Sequence, residues 1–264
     1  MKYENVTEIF DSVNAFYSAL QNRETNKTFK DKEDSDRRED GSFSGTESFE
    51  EANKLLLNGD FENSDKLQAV RIKTNTDKYV LKYKKQIKRD VAGFMPCVPV
   101  YLSGQPRNMF AAKNVCRKAK ILNIVVSSAV PGCVSSDKIT NAGAQIASLV
   151  CSLEKANIRV NLYVEIKSKK ANQLLTLLVK IKNAGAPLNK LRITYPIVNP
   201  SFLRRHYFRW VETNKNNIRS EFVHSYGWVV DDNKCVIKNS KVIKIMDIIE
   251  GKESCDTITK KILS

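Results

Sequence analysis

A chain of 264 residues with 42% hydrophobic content can bury one large core, and its 44 Lys and Arg outnumber its 29 Asp and Glu, leaving +15. Six cysteines without a CxxC pair, beside only two histidines, argue against a structural zinc site. No run of 18 apolar residues marks a membrane span.

The charge is split. Residues 1–65 hold 8 basic and 16 acidic side chains, and residues 66–264 hold 36 and 13. A surplus of that kind attracts polyanions, although two oppositely charged solvated surfaces would give the same count. The polar start, Met1 to Asn5, predicts no secretory leader and a soluble cytoplasmic protein.

In chain order, Val6, Ile9, Phe10, Val13, Phe16, Tyr17 and Leu20 fall at three-and-four spacing. This predicts a helix over 5–21, within a docking segment 1–22. Residues 31–40 mix charges without one apolar side chain, so 23–40 reads as a flexible charged linker. A single α/β domain is expected over 41–264, with a helical part 41–90 and a core 91–264. Ser48 and Glu51 make a capping box, Leu55 and Leu56 a buried side, and Gly59 a stop. Ser44, Gly45 and Thr46 before that helix could suit a phosphate. Without GxxxxGK[ST], an ordinary cap accounts for them. A helical pattern over 66–90 puts Lys78, Lys82, Lys85 and Arg89 on one face, the best candidate for phosphate contact.

Pro96, Pro99 and Pro106 forbid a long regular element over 91–109, which reads as an apolar loop packed against the sheet edge, with a short strand at 98–102. Ile121 to Val126 is a strand, Pro131 and Gly132 a break, Asp137 to Lys155 a helix, and Ile158 to Ile166 a strand. That βαβ unit predicts a three-layer α/β core around a mostly parallel central sheet, with the N-terminal helix as an appendage. The loop 127–136 is the default ligand position, beyond a strand's carboxyl end. It offers the hydroxyls of Ser127, Ser128, Ser135 and Ser136 without a base, and Ser136 or Asp137 is expected to cap the helix. Gly143 predicts close packing of that helix on the sheet. Residues 167–173 read as a basic, hairpin-like join to a strand at 174–181. Asn199 and Pro200 open a helix on which Arg204, Arg205 and Arg209 alternate with His206, Phe208 and Trp210. This mixture suits nucleic acid, and equally suits arginine stems lying on an amphipathic helix.

Enzyme motifs are weak. Pairing His224 with Asp231 or Asp232 has no support from spacing. Thirteen acids after residue 65 are few for a two-metal centre, and Asp137, Glu154 and Glu165 read as cap or surface positions. Gly132 alone makes no dinucleotide fingerprint. No catalytic residue, cofactor or metal ligand is assigned, and the protein is expected to be non-enzymatic.

Two resemblances add to this. Phe43-Ser-Gly-Thr-Glu-Ser-Phe-Glu-Glu-Ala52, Gly93-Phe-Met-Pro-Cys-Val-Pro-Val-Tyr-Leu-Ser-Gly-Gln-Pro-Arg-Asn-Met109, Gly143-Ala144, Leu153-Glu154 and Pro200-Ser-Phe-Leu-Arg-Arg205 resemble an uncharacterised family carried by bacterial viruses and mobile elements, over roughly residues 41–212. That resemblance implies a phage setting, in the host cytoplasm or the virion, and no particular chemistry. The βαβ unit, Rossmann-like in outline, also loosely resembles a von Willebrand factor A domain. The Asp-x-Ser-x-Ser metal motif of such domains is replaced by Ser127-Ser-Ala-Val-Pro131, which implies a binding scaffold without the metal.

The resulting expectation is a phage-associated nucleic-acid-binding protein, for DNA or RNA, without a membrane partner. Phosphates would be contacted by Lys78, Lys82, Lys85, Arg89, Arg204, Arg205 and Arg209. The alternative is a virion structural or assembly protein that oligomerises through helix 5–21, and a less favoured one is a metal-dependent nuclease or hydrolase.

Overall fold

The computed structural model describes residues 4–22, 41–64, 85–114, 120–156, 158–214, 218, 226–230 and 235–263. The expected linker 23–40, and Lys78, Lys82, His224, Asp231 and Asp232, lie outside the described residues.

The chain opens with strand β1, Glu4–Phe10, followed by helix α1, Val13–Asn22. The expected single helix over 5–21 is therefore two elements. Over so short a stretch, Val6 and Phe10 fit a strand's period of two as well as a helical one. Asp11 and Ser12 form the break, and Ser12 Oγ accepts the Ala15 N–H at 3.1 Å. Phe16 and Leu20 are buried in the chain's own core. A short helix α2, Gly41–Ser44, precedes α3, Phe49–Asn58. Ser48 Oγ caps α3 by accepting the Glu51 N–H at 3.1 Å, and Gly59 ends it at φ +98°.

Residues 85–114 make a separate sheet from β2, Lys85–Asp90, β3, Met95–Pro96, and, after the short helix α4, Val98–Leu102, β4, Met109–Asn114. Two expectations change here. Residues 85–90 are strand rather than helix, and 98–102 are helix rather than strand, with Pro99 tolerated in the first turn.

Strand β5, Lys120–Ser127, helix α5, Ser136–Lys155, and strand β6, Ile158–Lys170, form the predicted βαβ unit. Residue 135 rather than 136 or 137 is the N-cap, and no side chain caps it; Ser136 Oγ donates instead to the carbonyls of Ser42 and Phe43. A two-residue turn then leads to β7, Gln173–Lys182, so the expected basic turn at 167–170 is strand. Helix α6, Lys190–Val198, is followed by a π-helix, Phe202–Tyr207, and α7, Phe208–Thr213. Strands β8, Trp228–Val229, and β9, Ser240–Lys244, and helices α8, Ile245–Ile249, and α9, Cys255–Leu263, complete the described elements.

The main sheet has six strands in the order β1-β7-β6-β5-β9, with β8 paired to the far end of β6. The β1/β7, β5/β6 and β5/β9 pairs are parallel, and β6/β7 and β6/β8 are antiparallel. This is a mixed α/β fold with a mostly parallel sheet. Alternate residues of β6, Ile158, Val160, Leu162, Val164 and Ile166, face one core shared with α1, α3, α5, α6 and α9. The other face carries a small cluster of Val125, Tyr163 and Leu178, against which Cys235, Ile237 and Val242 pack. Among the described residues the helices thus share one face, and the expected third layer of helices is not seen. The β6/β7 hairpin explains part of this, because an antiparallel join needs no crossover helix.

Glu154 and Glu165 are not surface acids. Lys182 Nζ meets Glu154 Oε1 at 2.7 Å, tying β7 to the end of α5, and Lys167 Nζ lies 3.4 Å from Glu165 Oε2. All four side chains are at most 7% exposed. Buried charges persist only when paired and hydrogen-bonded, so a polar surface reading misses them.

Gly143 does mark a close approach, but to α6 rather than to the sheet. An added Cβ would collide with the Ile197 carbonyl and lie 2.7 Å from Val198 Cα, both backbone. Gly143→Ala is therefore expected to destabilise the fold by about 1–3 kcal/mol, read from the urea midpoint. The exposed-loop change Gly185→Ala, where an added Cβ meets nothing within 4 Å, should leave the midpoint nearly unchanged.

Candidate functional site

Strand β5 stops at Ser127, opposite Glu165, but β6 continues and is rejoined at Ser168 and Lys169 by β8. Between the end of β5 and the start of β8 a crevice of about 550 Å³ opens. The loop after β5 forms one wall with Ala129, Val130 and Pro131, and the π-helix forms another with Leu203 and Tyr207. Part of the 127–136 loop, the expected ligand position, lines this crevice. A smaller cavity of about 230 Å³ adjoins it behind Ala129, Pro131 and Val229. A third, of about 310 Å³, lies at the other end of the sheet between Asp11, Lys180 and Arg192.

The crevice's polar groups are Lys167, Ser168, Arg204 and Tyr207. Ser168 Oγ and the Tyr207 hydroxyl are hydrogen-bonded to each other. Burial pushes the Tyr207 phenol well above its ordinary value, so it stays protonated and cannot serve as a base near neutral pH. Aromatic rings edge the opening. Phe208 and Tyr226 stack at 3.7 Å and 7°, and the Tyr226 hydroxyl donates to Glu212 Oε1 at 2.6 Å. Trp228 is 75% exposed at the rim.

The arginines expected to contact phosphate fall into two kinds. Arg204 is 3% and Arg205 0% exposed, so neither lies on an open surface. Arg204 sits 4.1 Å over the Phe43 ring, donates from Nη1 to the Phe43 carbonyl, and from Nη2 to the Val134 carbonyl at 2.6 Å. Arg205 donates from Nε to Thr46 Oγ1 at 2.8 Å, and from Nη2 to Ser44 Oγ at 3.0 Å and the Thr46 carbonyl at 2.7 Å. The Ser44-Gly45-Thr46 group therefore receives a guanidinium from within the chain. Arg209 is half-buried, 5.7 Å over the Phe49 ring, with Nε and Nη1 lacking hydrogen-bond partners. Arg89 is exposed on β2, and the backbone of Lys85 lies in the same strand. The helical face predicted for Arg89 does not form at residues 85–90, which are strand, and Lys78 and Lys82 lie outside the described residues.

His206 is fully buried. Its Nε2 lies 3.1 Å from Asn53 Oδ1 and its Nδ1 2.9 Å from the Tyr195 hydroxyl. The pattern suits a neutral ring that donates to Asn53 and accepts from Tyr195. It is a structural histidine rather than a base.

Among the described residues, no group of three or more His, Cys, Asp or Glu is placed to hold a metal. No helix among them is long and apolar enough to cross a membrane. Lys167 and Ser168 were not legible as crevice residues, because the sequence places them in a hairpin-like join, and Trp228 stands in no pattern that points to a site. The signal that could have found them was the 13-residue reach of β6 past its neighbour.

Residues 2–263 match the family described as "Domain of unknown function (DUF7192)". The chain belongs to that family. No curated protein and no solved structure matches it.

Burial pulls the His206 pKa from its ordinary 6.5 down to about 3. Between those values the unfolded chain binds the extra proton, so this contribution is complete above pH 6.5 and is lost as pH falls toward 3. His206→Gln keeps a donor and an acceptor without titrating. The stability advantage of the parent over this variant should shrink by about 2–3 kcal/mol between about pH 7.5 and about pH 4.5, in urea melts. A gap that stays constant would contradict a buried neutral ring.

Proposed function

We propose that the protein is a non-enzymatic, phage-associated binder of single-stranded nucleic acid, and that the ribbon 85–114 makes the contact. One observation carries the reading: the ribbon is both cationic and uncovered. None of its residues with a described side chain is buried. In sequence, residues 85–114 hold five Lys and Arg, Lys85, Lys88, Arg89, Arg107 and Lys113, and a single acid, Asp90. Adjacent residues of a strand face opposite ways, so the exposed Lys88 and Arg89 give each face of the ribbon a cation. Phe94 and Tyr101 are exposed beside them and offer ring faces on which unpaired bases stack. Of the earlier candidates, Lys85 and Arg89 stay in this reading, while Arg204 and Arg205 leave it because both are buried against residues 43–46, away from the ribbon.

The test is fluorescence anisotropy with labelled single- and double-stranded DNA and RNA across a salt series. Lys88→Ala/Arg89→Ala should weaken single-strand binding by about tenfold at near-physiological salt, and lower the salt slope by about 1.4. Unchanged affinity and slope would overturn the assignment. Both side chains are exposed, so the double variant should melt like the parent.

A second reading is favoured by the aliphatic part of the same surface. Ile87, Val91, Met95, Val98 and Leu102 are all at least half exposed, and stacking makes no use of them. A virion or assembly contact would cover them. In that case Val98→Ser/Leu102→Ser dissolves an assembly seen by light scattering and leaves salt-dependent binding intact. The assembly surface would then be the ribbon, since Phe16 and Leu20 of the N-terminal helix are already packed within the chain.

A further inference from the structure

We infer that the crevice between β5 and β8 binds a small organic acid: a flat aromatic ring bearing a phosphate or carboxylate. This goes beyond the ribbon reading and stands without it.

Size, wall chemistry and charge point the same way. A volume of about 550 Å³ lies within the range of small-molecule sites, and the position beyond the carboxyl ends of parallel strands is where open α/β sheets bind ligands. The walls are largely apolar, from Val130, Pro131, Ile166, Leu203 and Phe208, and suit the faces of a ring. Trp228, exposed at the rim, adds an indole face against which such a ring can stack.

The polar set selects for an anion. Arg204 lines the crevice with a positive charge that no Asp or Glu on its wall offsets, while the other cation there, Lys167, is paired with Glu165 at 3.4 Å. Arg204 is held by the Phe43 and Val134 carbonyls, so its guanidinium is oriented before any ligand arrives. In the bonded pair of Ser168 and Tyr207 hydroxyls, one proton is shared between the two oxygens. The other remains to be donated to a ligand oxygen. Burial keeps the Tyr207 phenol protonated, so this pair presents a proton and no negative charge.

The same chemistry could arrive as a free mononucleotide, as an aromatic acid, or as the end of a nucleic-acid strand. The two tryptophans separate these. Trp210 is fully buried, stacked on Tyr207 and donating to Glu8, so a ligand-dependent change in emission comes chiefly from Trp228. The full chain is titrated with AMP and adenosine, with benzoate and benzamide, and with a short single-stranded oligonucleotide. A saturable change with AMP or benzoate is expected, at least about tenfold tighter than with its uncharged partner. Trp228→Phe should abolish the signal.

Gly132 lines the crevice, is exposed, and an added Cβ there meets nothing within 4 Å, so it accepts a side chain without repacking. Gly132→Glu should weaken the acid by about tenfold more than Gly132→Gln, because only the first adds a like charge. The inference is overturned by no saturable change with either acid, by equal affinity for the uncharged partners, by binding of the oligonucleotide alone, or by no difference between the two Gly132 variants. Lys88→Ala/Arg89→Ala should leave the acid titration unchanged. Loss of it there would place the ligand on the ribbon and overturn the inference as well.

Discussion

Two neighbouring guanidiniums tie residues 43–46 to the π-helix. Arg204 and Arg205 leave the π-helix side by side and end on the backbone and hydroxyls of residues 43–46. Ser201 reinforces them, bonding to the Ser44 carbonyl at 2.6 Å and sharing a 2.8 Å bond with Thr46 Oγ1. Gly45 makes the approach possible. Its φ is +82°, and a Cβ there would lie 2.8 Å from Asn199 Oδ1. Losing either arginine leaves the buried carbonyls and hydroxyls it serves without their donor, at a cost of about 1–3 kcal/mol for each such group, so neither can go without loosening this joint. The joint also shapes the crevice, because Arg204 fixes both Phe43 and the Val134 loop around it.

This changes the meaning of the most distinctive stretches of the sequence. Phe43 to Ala52 and Pro200 to Arg205 look like motifs awaiting a ligand. In the fold they are each other's partners across more than 150 residues. The glycine, the hydroxyls and the paired arginines are required by one internal interface. A phosphate reading of Ser44-Gly45-Thr46 and a backbone-contact reading of Arg205 fail for the same reason: the cation and its acceptors satisfy one another.

Local signals were legible where a single period or cap dominates. The strand–helix–strand over 120–170, the Ser48 cap and the Gly59 stop all follow from nearest-neighbour geometry. Residues 4–10 were misread because seven residues are too few to separate a period of two from one of 3.6. Lys85 to Asp90 were misread because alternating polar residues on an uncovered ribbon carry no apolar period at all. Burial of charge was the least legible feature. Glu154, Glu165 and Arg205 have the composition of surface residues, and only the tertiary structure supplies the partners that make their burial tolerable.

The buried charges bear on what the surface can do. Among the described residues, the buried cations are Lys167, Lys182, Arg204 and Arg205, and the buried acids are Asp60, Glu165 and Glu212, joined by the 5% exposed side chain of Glu154 that pairs with Lys182. Four face four, so the interior contributes no net charge. The surplus of +15 therefore lies on groups outside this balanced set. Charge in that position is screened over a Debye length of about 8 Å at physiological salt, which makes any polyanion contact steeply salt-dependent. The crevice differs. Arg204 acts there from within the low-dielectric boundary of the fold, where screening is weaker. Salt should thus separate the two surfaces, weakening contacts on the ribbon well before those in the crevice.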